Sequence, residues 1–200
     1  MIKVFLVDDE IAIRENLRNS FAWEKNGFQL VGEAPDGEMA LPMIRDLDPD
    51  ILLTDIRMPF IDGMALAAEI RKTMPWVGIV ILSGYDDFSY ARRAIALGVR
   101  EYLLKPVTAD ELLAALERVS EALAAEKKER EKRSEQFGRE YPDIVENLCL
   151  YVGAGISVRV AFEKMEEQYA KWRIKHPNMK KAAYENLILM NRAIRYGRLE

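Results

Sequence analysis

Asp50-Ile51-Leu52-Leu53-Thr54-Asp55-Ile56-Arg57-Met58-Pro59 is the stretch on which the fold turns. Ile51 to Leu53 form a short apolar run, which suits a strand buried on both faces. The run ends in a carboxylate, and Pro59 soon forbids further ladder pairing. Asp55 then stands at the carboxyl end of a buried strand, where open α/β sheets build their sites. A plain turn residue would fit this stretch equally well, so the neighbouring segments must decide.

Upstream, Ile2 to Val7 is an apolar, β-branched strand that runs into Asp8-Asp9-Glu10. Ile13, Leu17 and Phe21, spaced four apart, predict a helix, and Trp23 to Gly27 closes it. Phe28 to Glu33 reads as a second strand. Asp36 is an N-cap for a helix with Ala40, Met43, Ile44 and Leu47 inward. Pro42 lies inside that helix, removes the bond to Glu38 and is expected to kink or delay it. Downstream, Gly63 to Met74 is a helix with Leu66, Ala67, Ile70 and Met74 inward. Val77 to Leu82 is a fourth strand ending in Ser83-Gly84. A helix over Asp86 to Leu97 stops at Gly98 in the left-handed conformation. Glu101 to Leu104 is a short fifth strand before Lys105-Pro106, and Thr108 with Glu111 forms a capping box for the next helix.

Five strands alternating with five helices mean an α/β fold: a doubly wound parallel sheet with helices on both faces. The strand ends at Asp8, Asp9, Asp55, Ser83 and Lys105 then converge on one edge. Carboxylates packed together repel unless a cation joins them. Oxygen ligands without His or Cys select a hard ion, with Mg²⁺ the first candidate, and Mg²⁺ favours sites completed by a phosphate. Lys105 suits a phosphate oxygen as a point charge, and Ser83 can donate one hydrogen bond to the same group. A carboxylate beside such a cation is a nucleophile toward a phosphoryl group.

Composition narrows the field. Half the residues are hydrophobic and the net charge is −4, so the chain can build a core and has no general attraction to nucleic acid or anionic membrane. One cysteine, Cys149, excludes an internal disulfide framework, and one histidine, His176, excludes a multi-His metal site. No apolar run approaches the ~18 residues of a membrane span, and the N-terminus enters a strand directly without a signal peptide. A cytoplasmic location is expected.

Leu6-Val7-Asp8-Asp9-Glu10, Leu53-Thr54-Asp55-Ile56-Arg57-Met58-Pro59, Leu82-Ser83-Gly84-Tyr85 and Tyr102-Leu103-Leu104-Lys105-Pro106 resemble, in order and spacing, a two-component response-regulator receiver domain over residues 1–122. The resemblance implies a flavodoxin-like sheet of order 2-1-3-4-5 and a phosphoacceptor at Asp55. It implies metal binding by Asp9 directly, by Asp8 in an outer role, by Asp55 and by the backbone carbonyl of Arg57. Ser83 and Lys105 would contact the phosphoryl group, Ser83 and Tyr102 would form the switch, and Lys105-Pro106 would be a cis bond. Arg57 and Tyr85, two residues beyond Asp55 and Ser83, would tune the lifetime of the phosphorylated form. A sensor histidine kinase is the implied partner. The only chemistry expected is phosphoryl uptake and autodephosphorylation. The run Leu82 to Phe88 resembles receivers that precede arabinose-regulator-type DNA-binding domains, and Pro42 departs from the family pattern.

The remaining chain divides into a charged helical linker over 123–140 and a three-helix module over 141–200. The last receiver helix is expected to run on through Leu116, Val119 and Leu123 into Glu126 to Arg133, as a solvated linker or a short coiled-coil contact. Its basic residues are matched by Glu, which argues against a nucleic-acid surface. Ile144, Leu148 and Val152 line the first tail helix, ended by Gly153-Ala154-Gly155. Ser157 caps the second, with Phe162, Met165, Tyr169 and Trp172 on one face. Pro177 separates it from a third with Ala183, Leu187, Met190 and Ile194, stopped at Gly197. Cys149 is read as a small buried hydrophobe and His176 as a helix C-terminal residue favoured by the dipole.

Tyr141-Pro142-Asp143-Ile144-Val145, Leu150 to Arg159 and Ala161-Phe162-Glu163 resemble the cytoplasmic helical domain of type II secretion and tight-adherence pilus platform proteins, which implies a role with such machinery. The expected function is a response regulator switched by phosphorylation that signals through protein contacts. Those contacts would include a homodimer through the residue 86–123 face or the C-terminal helices. The alternative is a transcriptional regulator with a degenerate helix-turn-helix tail.

Overall fold

A computed structural model describes residues 1–84, 88–177 and 184–189. The chain divides into two compact units, Met1–Ala125 and Glu126–Glu200.

The first unit is a five-stranded parallel sheet in the order β2-β1-β3-β4-β5, formed by Ile2–Val7, Phe28–Ala34, Ile51–Asp55, Gly78–Ser83 and Glu101–Leu104 in chain order from β1 to β5. Its helices are α1 (Ile11–Ser20), α2 (Gly37–Leu47), α3 (Gly63–Thr73), α4 (Phe88–Ala96) and the first part, up to Ala125, of α5 (Ala109–Gly153). Successive strand residues point to opposite faces. Phe5, Val7, Leu52, Ile79 and Ile81 pack with Ala40, Ile44, Leu66, Ala67 and Ile70 of α2 and α3. Val4, Leu6, Ile51, Leu53, Val80 and Leu82 pack with Leu112, Leu116 and Val119 of α5. Both faces are therefore covered, which is why the strands read as unbroken apolar runs.

Local chemistry sets the element ends as expected. Asp36 accepts from the N–H of Met39 at 2.9 Å, and the reciprocal Thr108–Glu111 box closes at 2.9 and 3.2 Å. Gly98 has φ +69°, the left-handed stop. Lys105-Pro106 is cis. α2 continues through Pro42 to Leu47, so the proline costs one hydrogen bond without ending the helix.

The tail differs from its reading in three places. The first tail helix does not start afresh near Tyr141: α5 is continuous from Ala109 to Gly153 with Pro142 inside it. Ile144 and Leu148 face the second unit's core, but Val152 is exposed and Tyr151 packs there instead. At 3.6 residues per turn, Tyr151 follows Leu148 on the inward face and Val152 rotates off it. Cys149 is exposed for the same reason, one residue past Leu148. α6 (Val158–Lys175) is capped by Ser157, and Met165 and Tyr169 are buried against Ile144, Tyr184 and Leu187. His176 ends α6, its ring stacked 4.8 Å from that of Trp172. Residues 184–189 are helical, whereas Asp86, Ala183, Met190, Ile194 and Gly197 lie outside the described residues.

Candidate phosphoryl-acceptor site

Strand register builds the site. Val7 pairs with Thr54, so Asp8 and Asp55 are the next residues on adjacent strands. Asp55 pairs with Leu82, which sets Ser83 one step beyond it. Ser83 pairs with Leu104, and the N–H of Lys105 donates to the Ser83 carbonyl at 2.7 Å. All these strands are parallel, so their carboxyl ends share one edge. Asp9, Glu10, Asp55, Arg57, Ser83 and Lys105 line a cleft of about 290 Å³ there.

Lys105 Nζ lies 2.7 Å from Asp8 Oδ2 and 2.8 Å from Asp55 Oδ1. The other oxygens are held by backbone. Asp8 Oδ1 accepts from the N–H of Glu10 at 3.0 Å, and Asp55 Oδ2 from the N–H of Arg57 at 2.8 Å. Asp8 is fully buried, Asp55 and Ser83 nearly so, and Asp9 is exposed. Burial pushes the Asp8 carboxyl up from the ordinary carboxylate range, and its bonds to Lys105 and the Glu10 N–H pull it only part of the way back. Burial also works against the Lys105 ammonium, but its bonds to Asp55 and Asp8 outweigh that and hold it above the ordinary lysine value. Among the described residues, no three carboxylates stand close enough to hold a metal unaided. The ammonium already sits between two of them.

The loop after β3 is clamped. The N–H of Gly63 donates to the Ile56 carbonyl at 2.9 Å, and a Cβ on Gly63 would stand 1.8 Å from the Asp55 carbonyl oxygen. Only glycine allows that approach. Tyr102, level with Ile81 on the neighbouring strand, is half-buried against the α2–α3 side of the core. Arg57 is exposed, and Tyr85 lies outside the described residues.

The cleft also holds residues that motif reading passed over. Tyr90 reaches it from α4, and Glu10 Oε1 lies 4.0 Å from Lys105 Nζ. Glu10 was legible as the third acid in its row. Tyr90 was not, because nothing local marks which face of α4 meets the sheet edge.

A family model described as the response regulator receiver domain matches residues 4–117. This chain belongs to that family. Its members are signalling proteins that take a phosphoryl group from sensor histidine kinases and bind Mg²⁺ at that position. The chain is 36% identical over 119 residues to an uncharacterized transcriptional regulatory protein, YesN, of Bacillus subtilis, covering 60% of this chain and 32% of that protein. It is 39% identical over 123 residues to the transcriptional regulatory protein HptR of Staphylococcus aureus, covering 62% and 48%. The receiver domain of AraT, a response regulator from Geobacillus stearothermophilus, superposes with a TM-score of 0.59 at 40% identity, covering 63% of this chain and 98% of that one. The chain thus spans about a third to a half of the length of these two curated relatives. The family match ends at residue 117, and the tail's resemblance to secretion and pilus platform proteins gains no support. No helix among the described residues is long and apolar enough to cross a membrane.

Proposed function

We propose that Asp55 is the phosphoacceptor of a two-component response regulator and receives the phosphoryl group from a sensor histidine kinase. The bridge of Lys105 between Asp8 and Asp55, inside a cleft that also presents Ser83, carries this reading. Asp55 Oδ1 would attack phosphorus while the bond to the donor oxygen or nitrogen breaks. Lys105 then follows the new charge, and Ser83 donates to a phosphoryl oxygen. Such catalysis is positioning and charge neutralisation.

The oxygen donors Asp8, Asp9, Asp55 and the Arg57 carbonyl suit Mg²⁺, which uses one or two carboxylates, several waters and a phosphate. When bound, the ion neutralises the incoming phosphoryl oxygens. Asp55→Asn is expected to abolish Mg²⁺-dependent uptake from acetyl phosphate without unfolding the chain. Full labelling of the Asn variant would remove Asp55 from the reading.

The output is assigned to protein contacts: phosphorylation shifts Ser83 and Tyr102, and with them the residue 86–123 face that continues into the helix after it. Division of the chain into a receiver over 1–122, a linker over 123–140 and a helical module over 141–200 belongs to this proposal. A second reading has DNA as the target, because two of the relatives are named transcriptional regulatory proteins. A gel shift against random DNA at two salt concentrations separates the two. Salt-sensitive binding supports DNA, and no shift supports protein contacts.

A further inference from the structure

Val7 makes the last register pairs of β1, so the carbonyl of Asp8 lies past the ladder. It accepts instead from Arg14 Nη1 of α1, at 2.6 Å. The Arg14 side chain is only 12% exposed. Its Nε lies 3.6 Å from Oε1 of Glu33 on the edge strand β2, and Arg18 Nη1 reaches the same oxygen at 3.0 Å. Arg14 Nε and Glu33 Oε2 are both buried without a hydrogen-bond partner. A partly buried charge pair that leaves two buried polar atoms without hydrogen bonds is a poor choice for stability alone, and apolar residues of similar volume serve that end as well or better. Its presence calls for another role.

The position of the contact supplies one. Arg14 holds the peptide between Asp8 and Asp9, while the Glu10 N–H holds the Asp8 carboxylate at 3.0 Å. Asp9 stands between these two held points, exposed, on the rim of the cleft that contains Asp55. The direction in which its side chain leaves the main chain follows from the backbone that Arg14 holds.

We propose that Arg14, braced by Glu33, is a positioning residue for the cation site: it sets the Asp8–Asp9 peptide so that both acids face Asp55. This rests on the reading of Asp55 as a Mg²⁺-assisted phosphoacceptor. Arg14 touches neither cation nor phosphoryl group. Its loss acts on the affinity for the ion and not on the transfer step once the ion is bound.

The test uses the full chain as wild type, Arg14→Ala, Arg14→Lys and Glu33→Gln. Mg²⁺ binding is measured by calorimetry, and phosphoryl uptake from acetyl phosphate is followed across a Mg²⁺ titration. The apparent Kd for Mg²⁺ is expected to rise about tenfold in Arg14→Ala, the scale for losing a group that orients a metal ligand. A smaller rise is expected in Glu33→Gln, with uptake at saturating Mg²⁺ close to wild type in both. Arg14→Lys, which keeps a donor and a charge, is expected to recover part of the affinity. Unchanged affinity in folded Arg14→Ala or Arg14→Lys together with Glu33→Gln overturns the proposal. So does a loss of uptake that saturating Mg²⁺ does not restore. If Arg14→Ala fails to fold, Arg14→Lys and Glu33→Gln decide. A wild-type chain that binds Mg²⁺ while its variants match it overturns the positioning role alone. A wild type that neither binds Mg²⁺ nor takes up phosphoryl overturns the functional reading, and the positioning role falls with it.

Discussion

Lys105 sets the charge balance of the cleft, and pH exposes its contribution. The Asp8 carboxyl is raised in the folded chain, so its ionisation costs stability. That cost is absent where the group is protonated and grows as pH rises through the folded value. The raised Lys105 works oppositely: its stabilisation is full below the unfolded lysine value and is lost as pH climbs through the folded one. Lys105→Ala is expected to destabilise the chain by about 1–3 kcal/mol near neutrality. The loss should shrink in acid, as the raised Asp8 carboxyl takes up its proton. Urea melts at both pH values check this, and an equal loss in acid would sink the charge argument. Phe60 makes a different point at this scale. It is 82% exposed with φ +61°, in a loop closed by the bond from the Gly63 N–H to the Ile56 carbonyl and tied to α2 through the Ile61 carbonyl, which accepts from the N–H of Gly37 at 3.2 Å. A left-handed non-glycine residue costs about 1–2 kcal/mol. Phe60→Gly is therefore expected to raise stability by about 1 kcal/mol, less the entropy glycine adds to the unfolded chain. A lower melting temperature would show that the ring contributes more than its backbone strain costs.

At the scale of elements, α5 separates local signal from tertiary outcome. Tyr141-Pro142 reads as a helix start, because proline is favoured in the first turn. The helix instead passes through Pro142 without the bond to Gly138, while Ile144, Leu148 and Tyr151 pack against α6. Apolar burial on that face offsets a penalty of about 3 kcal/mol for an interior proline. Pro142 is exposed, so Pro142→Ala removes the penalty and leaves the core untouched. The variant is expected to stabilise the tail by up to about 3 kcal/mol, read as a higher midpoint in the helical circular dichroism of the full chain. No change would mean that α5 is broken at Tyr141 in solution.

For the whole molecule, the proposed switch predicts a change in association. A phosphoryl group adds about −1.5 to −2 charge beside Ser83 and Lys105, by analogy with phosphorylated side chains. It biases the chain only if two states contact it differently. Beryllofluoride with Mg²⁺ is expected to shift the sedimentation coefficient of the wild type. Tyr102→Ala should shift less while still taking up phosphoryl. A wild-type coefficient unchanged over a wide concentration range would rule out self-association and leave a separate partner as the route. Much of this was legible before any coordinates. Continuous apolar runs and their terminal acids sufficed for the α/β class, the sheet edge, and the grouping of Asp8, Asp9, Asp55, Ser83 and Lys105. Each of those depends on period-two burial and strand ends, which are local in sequence. Tertiary structure alone decided that Lys105 bridges Asp8 to Asp55, that Arg14 and Glu33 brace the acid loop, that Tyr90 reaches the cleft, and that Cys149 is exposed. These depend on register, on the rotation of a helix about its axis, and on contacts between residues as far apart as 97 positions. A linear pattern of polar and apolar residues does not encode them.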